Sequence, residues 1–258
     1  KGEGIEWLRK AAEQGDAEAQ VILGIYSTTA DETLGEAANW FRKAADQGAS
    51  IAQFFMGLAY YDGEGVTRDT LLSIKYLKAA LQQGREAFPI FKNVEFWDTH
   101  FSPLLPYEDL SSKAQLTLGL IYYSGDGVPI DKVQAIEWFR MAAEQGNAKA
   151  QFNLGSAFHS QKDTQEAVKW FRKAAEQGNI DAQSILGALL YNGNGISKSD
   201  QIEAVTWFRK AAEQGNSQAQ FNLGAAYYNG KGVKKSLVHA YSWFMLADSN
   251  GDNSAKET

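Results

Sequence analysis

The sequence predicts an all-α solenoid of about six helix–turn–helix repeats, and two observations carry this prediction. The stretch from Trp207 to Gly224, WFRKAAEQGNSQAQFNLG, recurs almost unchanged from Trp138 and from Trp170. Aromatic residues that open each copy recur at intervals of 32 to 37 residues, with one interval of 62 residues. A fixed period of this size is typical of stacked helical repeats. The anchor positions are Trp7, Trp40, Tyr76, Trp138, Trp170, Trp207 and Trp243.

Each repeat contains two amphipathic helices. In the last complete unit, apolar residues recur with the spacing of one helix face, both in the first helix and in the second helix before it. A glycine inside every first helix predicts close helix packing, with Trp207 filling the space beside Ala211 and Ala212. This glycine recurs at positions Gly24, Gly57, Gly119, Gly155, Gly187 and Gly224.

The turns repeat as regularly as the helices. A Gln-Gly pair ends each second helix, as at Gly215, where a left-handed conformation is easiest for glycine. Asn147, Asn179 and Asn216 follow such pairs and are predicted to cap the next helix. Gly-x-Gly motifs, as at Gly230–Gly232, join the two helices of most units and are predicted to be turns, because they follow helices rather than strands.

Charge and composition exclude several classes of function. The net charge is −6, the sequence pI is near 5.2, and there are no cysteines. The acidic balance argues against nucleic acid as a partner. No apolar run approaches a membrane span, so direct membrane insertion is not expected. No His, Asp or Glu spacing indicates a metal or catalytic site, so we expect no cofactor, no metal and no catalytic residue.

The repeated text A-x-A-Q-x-x-L-G-x-x-Y-Y-x-G-x-G-V, followed by A-x-x-W-F-R-K-A-A-E-Q-G, resembles the Sel1-like repeat family, a relative of tetratricopeptide repeats. The resemblance covers almost the whole chain, so residues 1–258 are interpreted as a single solenoid. It implies a right-handed superhelix and a scaffold that binds a protein or peptide partner on its concave surface. It also favours the bacterial periplasm or secretion slightly over the cytoplasm, although localisation remains open.

One stripe of the first helices carries the predicted partner site. In tetratricopeptide repeats the corresponding positions face the concave groove, and here they are unusually rich in aromatic side chains. Two asparagines at the edge of the stripe are predicted to bond a peptide backbone. The predicted contacts are Phe54, Tyr61, Tyr123, Phe152, Asn153, His159, Tyr191, Phe221, Asn222 and Tyr228.

A second interpretation of this stripe stays open. The phenylalanines Phe54, Phe152 and Phe221 are also expected where a ring packs against the first helix of the adjoining unit. The tyrosines fit that interpretation less well, because a tyrosine presents a polar tip.

Residues 85–110 form an aromatic and proline-rich insertion between repeats. Insertions in repeat proteins map to surfaces, often to a binding face. Either an additional packed helix or an arm that contacts a partner fits this composition.

Three functions remain open from the sequence: a non-enzymatic scaffold, a hydrolase of cell-wall or sugar substrates sited in the groove, and a structural spacer. Neither end supplies the polar cap that a solenoid needs, so a fragment or processed chain is expected.

Overall fold

The computed structural model describes residues 2–29, 34–82, 110–192 and 197–254. All regular elements in these ranges are α-helices, which confirms the all-α solenoid class for this part of the chain. The predicted insertion, residues 85–110, lies outside the described residues except for Leu110. The helices are α1 (Gly2–Glu13), α2 (Ala17–Thr29), α3 (Leu34–Asp46), α4 (Ser50–Asp62), α5 (Thr70–Gln82), α6 (Leu110–Ser124), α7 (Lys132–Glu144), α8 (Ala148–Ser160), α9 (Thr164–Glu176), α10 (Ile180–Asn192), α11 (Lys198–Glu213), α12 (Ser217–Asn229) and α13 (Leu237–Ser254).

The chain divides into two compact units, Lys1–Ala142 and Ala143–Thr258. The helices α2, α4, α6, α8, α10 and α12 are the first helices of the repeats, and the others are the second helices. Within each unit, a first helix packs against the second helices before and after it in the chain.

Within a repeat, the two helices meet where a glycine of the first faces an aromatic ring of the second. A methyl group at Gly119 of α6 would lie 2.5 Å from the ring of Phe139 of α7, so only glycine permits this approach. The sequence predicts that Trp207 fills such a space, but the ring over the glycine is that of Phe208. The same contact joins Gly24 to Phe41, Gly155 to Phe171, Gly187 to Phe208 and Gly224 to Phe244, while Leu77 takes the place of the ring over Gly57.

The tryptophans join one repeat to the next. Trp40 of α3 is 7% exposed and packs in a cluster with Ala12 of α1 and Leu23 of α2. Trp207 of α11, also 7% exposed, belongs to the cluster that contains Ala174 of α9. The small alanines therefore make room for the tryptophan of the following repeat, whereas the phenylalanine closes its own repeat.

A buried glutamine explains the Ala-x-Ala-Gln text. The side chain of Gln183 donates to the carbonyl oxygen of Ala175 at 3.1 Å and accepts from the side chain of Gln214 at 2.9 Å. One side-chain amide thus supplies the hydrogen bond that a buried carbonyl group needs, and it also connects two neighbouring repeats. The donation recurs from Gln20 to Ala12, from Gln151 to Ala143 and from Gln220 to Ala212.

An ion pair adds to the joint between α9 and α11. Arg172 donates to both carboxylate oxygens of Glu203, and Trp207 Nε1 donates to Glu203 Oε1 at 3.0 Å. Burial raises the pKa of Glu203, but the hydrogen bonds from Arg172 and Trp207 outweigh burial and lower the pKa overall. The equivalent pair in the first unit joins Arg9 of α1 to Glu36 of α3 at 3.2 Å.

The predicted caps are confirmed. Asn147, Asn179 and Asn216 each accept a hydrogen bond from the backbone amide three residues later, at 3.0, 2.8 and 2.8 Å. Gly215 has a φ of +90°, the left-handed conformation expected after a second helix. The turn between α8 and α9 lacks a Gly-x-Gly motif, and there Lys162 adopts the left-handed conformation, with a φ of +64°.

Candidate partner-binding surface

Four tyrosines occupy the same position in the last turn of their first helices, two in each unit. We call Tyr61, Tyr123, Tyr191 and Tyr228 the terminal tyrosines. Tyr123 is 38% exposed and Tyr228 is 54% exposed, while Tyr61 and Tyr191 are half-buried. Burial raises the pKa of Tyr61 and of Tyr191, so both phenols are neutral at physiological pH.

Each terminal tyrosine in the first unit lies under a cation. The guanidinium carbon of Arg68 is 5.8 Å from the ring centre of Tyr61, and Lys132 Nζ is 5.9 Å from that of Tyr123. Two further contacts fix the position of Arg68. Its side chain donates a hydrogen bond to the carbonyl oxygen of Tyr61 at 2.9 Å, and it forms an ion pair with Asp126.

The second unit repeats this arrangement. Lys231 Nζ is 5.8 Å from the ring centre of Tyr191, and Lys235 Nζ is 5.6 Å from that of Tyr228. A cation within about 6 Å of an aromatic ring is attracted by the electrons of the ring face. The pairs thus present a flat apolar surface beside a positive charge at the same place in successive repeats.

The cations are functional candidates that we did not identify from the sequence. Arg68 and Lys235 each follow their tyrosine by seven positions, beyond the Gly-x-Gly motif. That spacing is a usable signal, but a turn residue meets the ring only because the turn folds back over the end of the first helix.

The phenylalanines of the predicted site have three different environments. Phe54 is 2% exposed and packs among Leu110, Ala114 and Leu118 of α6, so its ring is part of the core. Phe152 is half-buried, and its ring centre lies 5.8 Å from that of Phe171. The adjoining first helix therefore covers Phe54, as the second interpretation of the stripe expects.

Phe221 differs from Phe54 although both hold the same register position. It is 54% exposed, and its ring centre is 5.3 Å from that of Phe244. Both rings line a shallow cavity of about 540 Å³ between α12 and α13, together with Ala247. Ser217, Gln218 and Asp248 also line the cavity, so it offers a partner side chain both apolar and polar contacts.

The polar residues of the predicted site lie on the first helices α8 and α12. His159 is exposed at the end of α8, and Asn153 is partly exposed in its middle. Asn222 of α12 is partly exposed, and its Oδ1 accepts a long hydrogen bond of 3.4 Å from Gln218. In the second unit, the predicted residues from Phe152 to Tyr228 thus lie on the first helices α8, α10 and α12.

A larger cleft than the one beside Phe221 lies elsewhere in the first unit. It has a volume of about 860 Å³ and lies between α3, α5 and the turn after α4, lined by polar side chains that include Asn39, Arg42 and Asp69. It contains none of the predicted site residues. Its aromatic member is Tyr60, which stacks on Tyr76 with ring centres 5.8 Å apart.

Among the described residues, no group of three or more His, Asp or Glu side chains is arranged to hold a metal ion. Over the same ranges, no helix combines the length and the apolar character needed to cross a membrane.

The alternating helices, the glycine–phenylalanine contacts and the inter-repeat tryptophans define the class of this protein as an α/α repeat protein. The chain belongs to the Sel1 repeat family. The family model matches at residues 1–16, 17–48, 50–84, 112–147, 148–179, 180–216 and 217–252, which makes seven matched repeats against about six predicted. Sel1 repeat proteins generally act as protein–protein interaction scaffolds.

One solved structure of a bacterial protein supports this assignment. The chain is 26% identical to a Sel1 repeat protein from Oxalobacter formigenes, with a TM-score of 0.67, covering 89% of this chain and 85% of that chain. It is 33% identical to c5321, a protective antigen of uropathogenic Escherichia coli with an SLR fold, covering 94% of this chain and 63% of that chain with a TM-score of 0.39. Comparison with curated proteins gave no match.

Proposed function

We propose that this chain is a non-enzymatic scaffold that binds a protein or peptide partner along the stripe of its first helices. The contacts are the terminal tyrosines with Phe152, Asn153, His159, Phe221 and Asn222. Phe54 is omitted because a side chain that is 2% exposed offers a partner no surface.

The observation that carries this proposal is the recurrence of a partly exposed tyrosine beside a cation in two repeats of each unit. The rings of Tyr123 and Tyr191 also contact Phe139 and Phe208 of their own repeats, at 6.1 and 5.7 Å between ring centres, so each ring is held in place with part of its surface exposed. Aromatic residues and arginine supply most of the binding energy in protein interfaces. A repeating array of such groups suits an extended partner that contacts several repeats.

Affinity capture followed by site-specific cross-linking tests the proposal. A photoreactive amino acid placed at Tyr228 is expected to cross-link to the captured partner. The same group at Tyr241 is the control, because Tyr241 is 67% exposed but lies on the second helix α13. Cross-links from Tyr241 alone would move the binding face to the second helices.

Affinity measurements with the captured partner supply a second test. Replacing Tyr123 and Tyr228 together with alanine is expected to weaken binding by more than about 2 kcal/mol, about thirtyfold, since aromatic anchors dominate interface energies. Circular dichroism should show unchanged helix content, and the Tyr241→Ala variant should bind as the wild type does. Equal affinities for the wild type and the double variant would redirect the search to Phe88–Tyr107.

A further inference from the structure

The turn between α12 and α13, residues 230–236, is positively charged. It carries Lys231, Lys234 and Lys235, and the sequence contains no Asp or Glu between Glu213 and Asp248. This is a local excess of positive charge in a chain whose net charge is −6. We call these seven residues the basic turn.

The basic turn is held in place by backbone contacts. Gly230 caps α12 with a φ of +71°. Ser236 donates its backbone amide to the carbonyl oxygen of Tyr227 at 3.0 Å. A methyl group at Gly232 would lie 2.1 Å from the carbonyl oxygen of Gln201, so this part of the turn lies directly on α11. The lysines are therefore displayed from an anchored backbone, which reduces the entropy lost on binding.

Carboxylates of the chain itself do not neutralise the basic turn. Within the described residues, Lys231, Lys234 and Lys235 form no ion pair. Asp200, near Gln201 on α11, is bound by Ser197, which donates from its backbone amide at 2.9 Å and from its hydroxyl at 2.7 Å. The three ammonium groups are therefore available to a partner.

The turns of the first unit have the opposite character. The turn after α4 contains Glu64 and Asp69, with Asp62 at the end of the helix before it, and the turn after α6 contains Asp126 and Asp131. There the cation Arg68 is already paired with Asp126. The cation beside Tyr61 is thus already neutralised, whereas Lys231 and Lys235 of the basic turn form no ion pair among the described residues.

We infer that the basic turn, with the rings of Tyr191 and Tyr228, binds an acidic peptide segment of the partner. This inference rests on the proposed function and specifies the chemistry of its ligand. Glutamate or aspartate side chains pair with Lys231 and Lys235, and the apolar parts of the peptide lie on the two rings. Charge complementarity of this kind sets specificity and association rate, and it weakens as salt rises.

Fluorescence anisotropy with the full chain tests the inference. The probe is a fluorescein-labelled peptide of alternating glutamate and alanine, and the reference peptide has glutamine in place of every glutamate. We expect the acidic peptide to bind at least about tenfold more tightly than the neutral one at low salt, and to lose most of this advantage at about 0.5 M NaCl.

A charge-reversal variant locates the binding. Lys231→Glu combined with Lys235→Glu is expected to weaken binding of the acidic peptide by at least about tenfold. The matched control is Lys173→Glu combined with Lys210→Glu, which makes the same change of net charge. Lys173 and Lys210 also lie over aromatic rings, at 4.4 Å from Trp170 and 4.2 Å from Trp207, but on second helices. The control variant should retain its affinity.

Three results would overturn the inference. These are equal binding of the acidic and neutral peptides, equal losses in the two charge-reversal variants, and tighter binding of single-stranded DNA or of phosphatidylserine vesicles than of the acidic peptide. The proposed function would survive each of them if the partner still cross-links from Tyr228. Loss of that cross-link with acidic-peptide binding intact would instead reject the proposed function alone.

Discussion

Gln214 of one repeat donates its side-chain amide to the buried side chain of Gln183 at 2.9 Å, and Gln183 in turn donates to the carbonyl oxygen of Ala175 at 3.1 Å. One glutamine side chain thus binds the end of the preceding second helix and the end of the following one. The same relay runs from Gln47 through Gln20 to Ala12 and from Gln177 through Gln151 to Ala143. These bonds connect neighbouring repeats without adding apolar volume.

Replacing Gln183 with leucine is expected to lower the free energy of unfolding by about 1–3 kcal/mol, since the buried carbonyl of Ala175 loses its donor. Urea denaturation followed by circular dichroism measures this loss. Gln165→Leu, at an exposed glutamine of α9, is the control and should change stability by less than about 0.5 kcal/mol. Equal midpoints for the two variants would mean that the relay does not stabilise the joint.

Trp207→Ala is expected to cost about 3–5 kcal/mol, because a buried aromatic side chain is removed beside alanines that are too small to refill the space. Trp7 holds the same register position but is 70% exposed, whereas Trp207 is 7% exposed. Trp7→Ala is therefore a matched control that should cost less than about 0.5 kcal/mol. Similar losses in thermal or urea unfolding would contradict the burial difference between the two residues.

Gly119→Ala is expected to lower stability by about 1–2 kcal/mol. The added methyl group would lie 2.5 Å from the ring of Phe139, and the cost of overpacking exceeds the gain in helix propensity. Gly4 lies in a helix with no atom within 4 Å of an added methyl group, so Gly4→Ala should leave stability unchanged or raise it. A stabilising Gly119→Ala would show that α6 and α7 can separate without loss.

The joint between α9 and α11 should weaken in acid. The pKa of Glu203 is lowered below its ordinary value of 4.5 in the folded chain. Its contribution to stability is therefore present above 4.5 and is lost as the pH falls through the lower, folded value. Urea denaturation of the wild type and of Glu203→Gln should show a stability difference that is largest near neutral pH and shrinks below pH 4.5. A difference that stays constant with pH would mean that the charge of Glu203 contributes nothing.

Much of the fold follows from the sequence because its period is explicit. The caps at Asn147, Asn179 and Asn216 depend on a few neighbouring residues, so local physical chemistry predicts them. Gly119, a glycine inside a helix, likewise indicates from the sequence that another helix packs closely against it. The partner ring was predicted less well, because Trp138 and Phe139 are adjacent and only the rotation of the helix decides which of them meets the glycine.

The candidate site depended more strongly on tertiary structure. Phe54, Phe152 and Phe221 occupy one register position, yet they are buried, half-buried and exposed in turn. The difference depends on which side chains of the neighbouring helices cover each ring. The identity of the residue itself does not reveal those neighbours. The cation beside Tyr191 was missed for a similar reason, since Lys231 comes from the turn of the repeat that follows Tyr191.

The sequence by itself therefore determined the repeat unit, its helix ends and its all-α class, because each of these depends on side chains that lie within one unit. Only the tertiary structure decided that Phe208 closes a repeat while Trp207 joins two, that Gln183 links both of its neighbours, and that the lysines of the second unit lie over tyrosines. These relationships connect residues in different helices and turns, and the packing of the helices selects them from several contacts that the sequence permits equally.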